Sequence, residues 1–160
     1  MLKISSTEKS YISGFLDGDG CIMYQLISRT DYKYGYQIRA SIVFYQKTSN
    51  RHQLEWLKEV FRSGYIRDRN DGMTEYTIVG HEKVILILKS LEPYVRLKKT
   101  HIEVARKINK LLMDKTIESF IEAARLVDKF AQLNYSKKRK NTSKQLIKYL
   151  RQHKLYPRND

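Results

Sequence analysis

Two aspartates one glycine apart, Asp17 and Asp19, close an apolar segment running Tyr11-Ile12-Ser13-Gly14-Phe15-Leu16-Asp17-Gly18-Asp19-Gly20-Cys21-Ile22. Carboxylates delivered together to one point suit a hard divalent cation. Such a cation, clamped between carboxylates and phosphate oxygens, supports phosphodiester hydrolysis. The segment reads as a helix, and as a helix it breaks two local rules. Each interior glycine costs about 1 kcal/mol relative to alanine, and an acid near the helix C-terminus costs about 0.3–1 kcal/mol against the macrodipole. A stretch that gives up stability twice serves close packing, chemistry or both. Gly14 and Gly18, four residues apart, would let a second backbone approach closely.

Simpler readings account for parts of this stretch. Gly18-Asp19-Gly20 alone could be a helix C-cap and a turn. An EF-hand loop counted from Asp17 needs glycine at its sixth place and glutamate at its twelfth, but Ile22 and Ser28 stand there. Gly18-x-Gly20 followed by Met23 lacks the third glycine of a dinucleotide fingerprint. Cys21 is the one cysteine, which rules out an internal disulfide and argues against a zinc site. His52, His81, His101 and His153 lie far apart without metal spacing, and no His/Ser or His/Cys nucleophile arrangement emerges.

Ser13 to Gly20 resembles the signature of the LAGLIDADG homing endonucleases. On that resemblance Asp19 is the catalytic acid and metal ligand, with the Gly18 carbonyl as a further oxygen donor and Mg²⁺ (or Mn²⁺) as the cofactor. Asp17 reads instead as a helix-end residue hydrogen-bonded locally, because a spacing of two does not point both acids alike. Gln46, within Phe44-Tyr45-Gln46-Lys47-Thr48, matches a family glutamine that positions solvent near the metal. Lys98, within Pro93-Tyr94-Val95-Arg96-Leu97-Lys98-Lys99, resembles the lysine that organises the nucleophilic water or stabilises charge. Arg69 resembles another basic active-site residue, with a phosphate or base contact as its alternative. Asn50 stands where some relatives carry arginine, which leaves that role to Arg51 or to nothing.

These residues need a scaffold. Ser5 and Glu8 form a capping box that starts a helix at about Thr7 and carries it to Leu16 or beyond. Ile22 to Ile27 and the alternating Gln37 to Phe44 read as strands. Asn50 with Gln53 is expected to cap a helix that places Leu54, Leu57, Val60 and Phe61 on one side and ends at Ser63-Gly64. Gly64 to Arg69 and Met73 to Val79 form a hairpin about Asn70-Asp71-Gly72, and a helix from Val84 to Leu91 stops before Pro93. The class is α+β, and the order helix, strand, strand, helix, strand, strand, helix agrees with the αββαββα core of the family. That core spans residues 1–99. Residues 100–160 are expected to extend the same domain with helices: one capped by Thr100 and Glu103, one from Glu118 to Leu133, and one from Thr142 to His153. A basic loop lies among them. No internal repeat is visible.

The chain has 160 residues and a formal charge of +14, which points to a polyanionic partner. From Ala131 onward there are nine Lys/Arg and one acid, Asp160. No apolar run approaches the roughly 20 residues of a membrane span, and no signal peptide precedes the motif. A soluble intracellular protein without a membrane or small-molecule partner is expected. The resemblance adds an organelle (chloroplast or mitochondrion) or a prokaryotic cytoplasm as its setting.

Strand alternation gathers Ile22, Tyr24, Leu26, Ile38, Ala40, Ile42 and Phe44 on an apolar face. The opposite face holds Met23, Gln25 and Ile27, then Gln37, Arg39, Ser41, Val43 and Tyr45, with Arg29 beyond the first strand. Arg67, Arg69, Glu75 and Thr77 join from the hairpin. Arg, Gln, Glu and Thr read base edges in a major groove that also admits a β-ribbon, although such a face could equally be the wet side of an antiparallel sheet. The tail residues Ser136, Lys137, Lys138, Arg139, Lys140 and Thr142 offer charge and hydroxyls, as phosphate contacts do, and resemble a family loop that touches DNA. One motif per chain, against two strands to cut, calls for a homodimer on double-stranded DNA. Tyr11, Gly14, Phe15, Asp17 and Gly18 are expected at its interface. The function so read is a site-specific endonuclease cutting both strands of a long, pseudo-palindromic site. An intron RNA maturase or a DNA-binding regulator on the same fold, without cleavage, is the alternative.

Overall fold

A computed structural model describes residues 4–136 and 139–156. Among them the chain forms α1 (Ser6–Asp19), β1 (Gly20–Ser28), β2 (Tyr36–Lys47), α2 (Arg51–Phe61), β3 (Tyr65–Asp68), β4 (Met73–Val79), α3 (His81–Leu91), α4 (Lys99–Met113), α5 (Ile117–Leu133) and α6 (Ser143–Gln152). The fold is α+β, in the expected order αββαββα followed by three further helices. The strands make one sheet in the order β1-β2-β4-β3, with β4 antiparallel to both β2 and β3. The chain divides into two compact units, Met1–Ile22 with Ala40–Ile102 and Met23–Arg39 with Glu103–Asp160.

In the first unit, α1 opens on the expected capping box: Ser5 Oγ accepts from the Glu8 backbone N–H, and Glu8 accepts from the Ser5 N–H. The helix runs further than its apolar pattern required, to Asp19. A Cβ at Gly20 would sit 2.8 Å from the Leu16 backbone, so the turn from helix into β1 requires glycine. Register places Ile42 opposite Ile78 and Phe44 opposite Tyr76. These four are fully buried with Ile12, Leu16, Leu54, Leu57, Val84 and Leu88. Each large apolar side chain so buried is worth about 1.5–3 kcal/mol. Tyr76 keeps its polar end satisfied by donating to the Ser63 carbonyl at 2.6 Å.

Helix α3 starts at His81, three residues ahead of the expected Val84, directly after Gly80, and two further helix starts differ from expectation. Asn50 precedes α2 but its side chain makes no capping bond; it turns back to Gln46 instead. Helix α4 begins at Lys99, ahead of Thr100, because the backbone just before it is held by the Asp17 carboxylate of α1. Helix α2 stops at Phe61, before Ser63-Gly64, with Arg62 in the left-handed region at φ 48°.

In the second unit Tyr24 packs on Phe130 with ring centroids 5.1 Å apart, among buried Leu26, Ile38, Ala105, Ile108, Ile121, Val127, Leu146 and Leu150. Burial pushes the Tyr24 hydroxyl well above the usual phenol range. Thr116 caps α5, and a Thr142–Gln145 capping box starts α6. No helix among the described residues is long and apolar enough to cross a membrane.

Candidate active site and nucleic-acid interface

The end of α1 separates the two aspartates. Asp17 is half-buried, and its carboxylate accepts three backbone N–H bonds: Arg96 N to Oδ2 at 2.7 Å, Leu97 N to Oδ2 at 3.1 Å and Lys98 N to Oδ1 at 3.1 Å. An acid that would be unfavourable at its own helix C-terminus thus sits at the start of α4, where the dipole welcomes it. Lys98 Nζ in turn donates to the Asp17 carbonyl at 2.8 Å. The hydrogen bonding expected for Asp17 is therefore long-range rather than local. Its carboxylate is committed within the chain, although the sequence also suggests the residue for the dimer interface.

Asp19, two residues and so roughly half a helical turn further on, is exposed. Its Oδ2 accepts from Gln46 Nε2 at 2.9 Å, so residues 27 apart in sequence meet at the end of β2. Gln46 Oε1 accepts from Asn50 Nδ2 at 3.4 Å. Two open depressions share this pair. One is lined by Ser10, Tyr11, Gly14, Phe15, Asp19, Gln46, Asn50, His52 and Gln53, the other by Gly18, Asp19, Gly20, Tyr45, Gln46, Lys47 and Met73.

The oxygen donors here suit a hard cation. Asp19 offers a carboxylate, and the Gly18 carbonyl lies in the last helical turn, where intrahelical partners run out. The negative end of the helix dipole adds to the attraction. Among the described residues no three His, Cys, Asp or Glu side chains gather around one point. Hard divalent ions take six or more oxygen ligands, so these donors fit part of a coordination shell. Beside them, burial pushes the Cys21 thiol up, with the Lys98 charge pulling the other way.

Arg69 follows β3 and pairs with Asp71 at 2.7 Å; no bond ties it to Asp19. Arg51, the alternative holder of the basic role at position 50, is occupied by Glu55 at 2.8 Å and Asp68 at 2.5 Å. The hydrogen bond from Thr74 and the Arg51 charge hold the Asp68 carboxyl below its ordinary range.

Alternation along β2 sets Gln37, Arg39, Ser41, Val43 and Tyr45 on the side opposite buried Ile38, Ala40, Ile42 and Phe44. In the first unit, register puts Val43 opposite Thr77 and Tyr45 opposite Glu75 on β4, and then Tyr65 opposite Thr77 and Arg67 opposite Glu75 on β3. Ser41, Val43 and Thr77 are buried under their neighbours, whereas Arg67 is exposed. Arg67 is oriented by Glu75, accepting at 2.9 Å from Nε and 2.7 Å from Nη2. Exposed Tyr65 lies on the same face, in the neighbouring Val43–Thr77 row, and is absent from the sequence reading; the period-two rule, run from Arg67, finds it. Burial, with Cys21 and Glu75 adding, raises the Tyr45 hydroxyl.

In the second unit Gln25 is exposed and Met23 and Ile27 are half-buried on β1. Arg29 forms a two-pronged pair with Asp31 at 2.9 Å for each bond. Of the tail, Ser136 and Lys140 are exposed, Thr142 is used as a helix cap, and Lys137 and Lys138 lie outside the described residues. Arg139 differs from its neighbours. It pairs with Asp128 at 2.6 Å, the same carboxylate that accepts from Ser143 Oγ at 2.6 Å.

On the expected dimer surface, Tyr11, Gly14 and Gly18 are exposed while Phe15 packs edge-on to Phe44 at 5.4 Å. A Cβ built on Gly14 or Gly18 meets nothing within 4 Å. Among the described residues, therefore, no packing contact accounts for these helical glycines.

The family model for LAGLIDADG endonucleases matches residues 12–108. DNA endonuclease I-CvuI of Chlorella vulgaris is 38% identical over 131 residues, 81% of each chain. DNA endonuclease I-CreI of Chlamydomonas reinhardtii is 33% identical over 135 residues, 83% of this chain and 82% of its own. The crystal structure of I-CvuI in complex with its target in the presence of calcium superposes with a TM-score of 0.88 at 33% identity, covering 94% of this chain and 97% of that one.

Proposed function

The chain belongs to the LAGLIDADG endonuclease family, and from that premise we propose that it is a site-specific homing endonuclease. Acting as a homodimer, it makes double-strand breaks in a long, pseudo-palindromic DNA site by Mg²⁺- or Mn²⁺-dependent phosphodiester hydrolysis. The observation that carries this reading is the 2.9 Å bond from Gln46 Nε2 to Asp19 Oδ2 at the exposed end of α1. A purely DNA-binding surface gains nothing from an acid placed where it repels phosphate.

Hydrolysis needs a nucleophilic water, stabilisation of charge at phosphorus and help for the leaving oxygen; a bound divalent ion supplies Lewis acidity for all three. Asp19 and the Gly18 carbonyl would hold that ion, with phosphate oxygens, water and a second copy of the chain completing its shell. Gln46 spends one N–H on Asp19 and has a second with which to place water beside it. Lys98, anchored at the α1 terminus, sets a positive charge near the same helix end, where it would favour the developing phosphorane charge. Arg69 would meet phosphate or a base edge. The open glycine face of α1 would receive its symmetry mate at Tyr11, Gly14, Phe15 and Gly18, bringing two Asp19 residues together, one for each strand. The row Tyr45–Glu75–Arg67, with Gln25, Gln37 and Arg39, would read bases, while Lys140 and its tail neighbours would grip phosphate.

The test is incubation with Mg²⁺, and separately Mn²⁺, and a library of pseudo-palindromic duplexes. Discrete double-strand cuts at a shared sequence are expected. Tight DNA binding without cutting under either metal would overturn the nuclease reading in favour of a DNA-binding regulator. Selective binding of structured intron RNA without DNA cleavage would favour a maturase.

A further inference from the structure

We propose that Asn50 is a positioning residue: it fixes which end of the Gln46 carboxamide faces Asp19. This rests on the nuclease reading for its importance to catalysis, but the geometry stands by itself. Asn50 ends the 3₁₀ turn Thr48–Asn50 and occupies the N-cap position of α2, where asparagine normally accepts a bond from the first helical turn. Here no such bond is made. The side chain instead points back four residues, and Nδ2 donates to Gln46 Oε1 at 3.4 Å. An asparagine that forgoes its usual cap for a contact one residue away from the candidate metal ligand is serving that contact.

A carboxamide is nearly symmetric in shape, so a half-turn about its last torsion exchanges oxygen for NH₂ at little steric cost. Only its hydrogen-bond partners select the orientation. While Asp19 is a free carboxylate, it and the Asn50 donor select the same orientation, each holding one end of the carboxamide. Once an ion draws on the Asp19 lone pairs that selection weakens, and Gln46 Oε1 becomes free to swing toward the cation. A donor on the other side of Gln46 opposes the swing. Asn50 is that donor, and its bond does not depend on the state of Asp19. Its neighbour Arg51 has a longer reach, but Glu55 and Asp68 hold its guanidinium.

Two measurements test this. The first needs neither DNA nor metal: in ¹⁵N-labelled full-length protein, the Gln46 side-chain NH₂ protons should exchange with solvent several-fold faster in Asn50→Ala than in wild type. Asn50→Asp matches asparagine in size but presents an acceptor, so it should draw Nε2 away from Asp19 and shift the Gln46 signals furthest; a space-filling role would leave them near wild type. The second is kinetic. Asn50→Ala should lower kcat on the selected target roughly ten- to a hundred-fold, as misplacement of a reacting group does, with KM unchanged. In a Gln46→Ala background it should have no further effect, since the two act as one unit. Unchanged Gln46 resonances in Asn50→Ala, or an equal loss of kcat in both backgrounds, would overturn the proposal. A wild-type protein that cuts no DNA would defeat the nuclease reading alone, and the resonance comparison would still decide what Asn50 does.

Discussion

Asp17 and Lys98 hold each other in two ways: the carboxylate of Asp17 accepts the Lys98 backbone N–H at 3.1 Å, and Lys98 Nζ caps the Asp17 carbonyl at 2.8 Å. The C-terminus of α1 and the N-terminus of α4 are thereby clasped, with each helix end meeting a charge of the favourable sign. The carboxylate of the first motif acid is spent on this clasp, which fixes where Lys98 sits.

Removing that clasp should cost stability and activity together. Asp17→Ala leaves three backbone N–H groups without their acceptor, a loss of about 2 kcal/mol for bonds to a charged group. For a chain of this size the melting temperature should then fall by roughly 4–8 °C. Calorimetry measures it directly, and a melting temperature equal to that of wild type would show that the clasp contributes nothing.

Asp19→Asn should behave in the opposite manner. Asp19 is exposed and bonds only through one oxygen to Gln46, so folding should be unaffected. Cleavage should disappear, whereas binding to target DNA should hold or tighten slightly, since one negative charge near phosphate is gone. Gel-shift and cleavage assays on the same duplex check both halves. Retained cutting would remove Asp19 from the metal site.

The contrast between these acids marks what the sequence could convey. Asp19 and Gln46 could be singled out because the motif and the end of the second strand each match the family locally, though that they meet comes only from the fold; the alternation of Gln37 to Phe44 told which side faces the core. The partner of Asp17 was not legible, because it comes from a segment 79 to 81 residues away. The same long-range contact misled the expectation of a Thr100 cap. Asn50 looked like a cap since its position is one, and only the fold brings Gln46 within reach. Arg139 looked like its lysine neighbours, but a carboxylate 11 residues upstream on α5 holds it.

Gly14→Leu separates packing within the chain from packing between copies. Open space surrounds the Gly14 position, so a side chain there should not strain the monomer, and helix propensity should gain up to about 1 kcal/mol. Self-association should nevertheless weaken, because a leucine would hold two α1 helices apart. Sedimentation equilibrium over a concentration series should show the variant shifted toward monomer, with cleavage reduced to nicking. A wild-type chain that is monomeric on DNA and still cuts both strands would sink the dimer.

The last prediction separates three arginines and lysines that composition alone treats alike. Lys140 is exposed, so Lys140→Ala should weaken binding almost evenly across sequences and reduce the slope of log affinity against log salt by about one. Arg139 is paired with Asp128, so Arg139→Ala should leave that slope nearly unchanged and lower the melting temperature, since it loosens the approach to α6. Arg67 is aimed by Glu75, so Arg67→Ala should relax base preference at a mirrored pair of positions, one in each half-site, by about 1–3 kcal/mol of discrimination. Glu75→Gln, which keeps the shape but loosens the arginine, should blur the same positions to a lesser degree. Profiling each variant over a randomised target library at two salt concentrations distinguishes all three. Base preference altered by Lys140→Ala, or a uniform loss across sequences from Arg67→Ala, would mean that the tail reads sequence and the sheet merely grips.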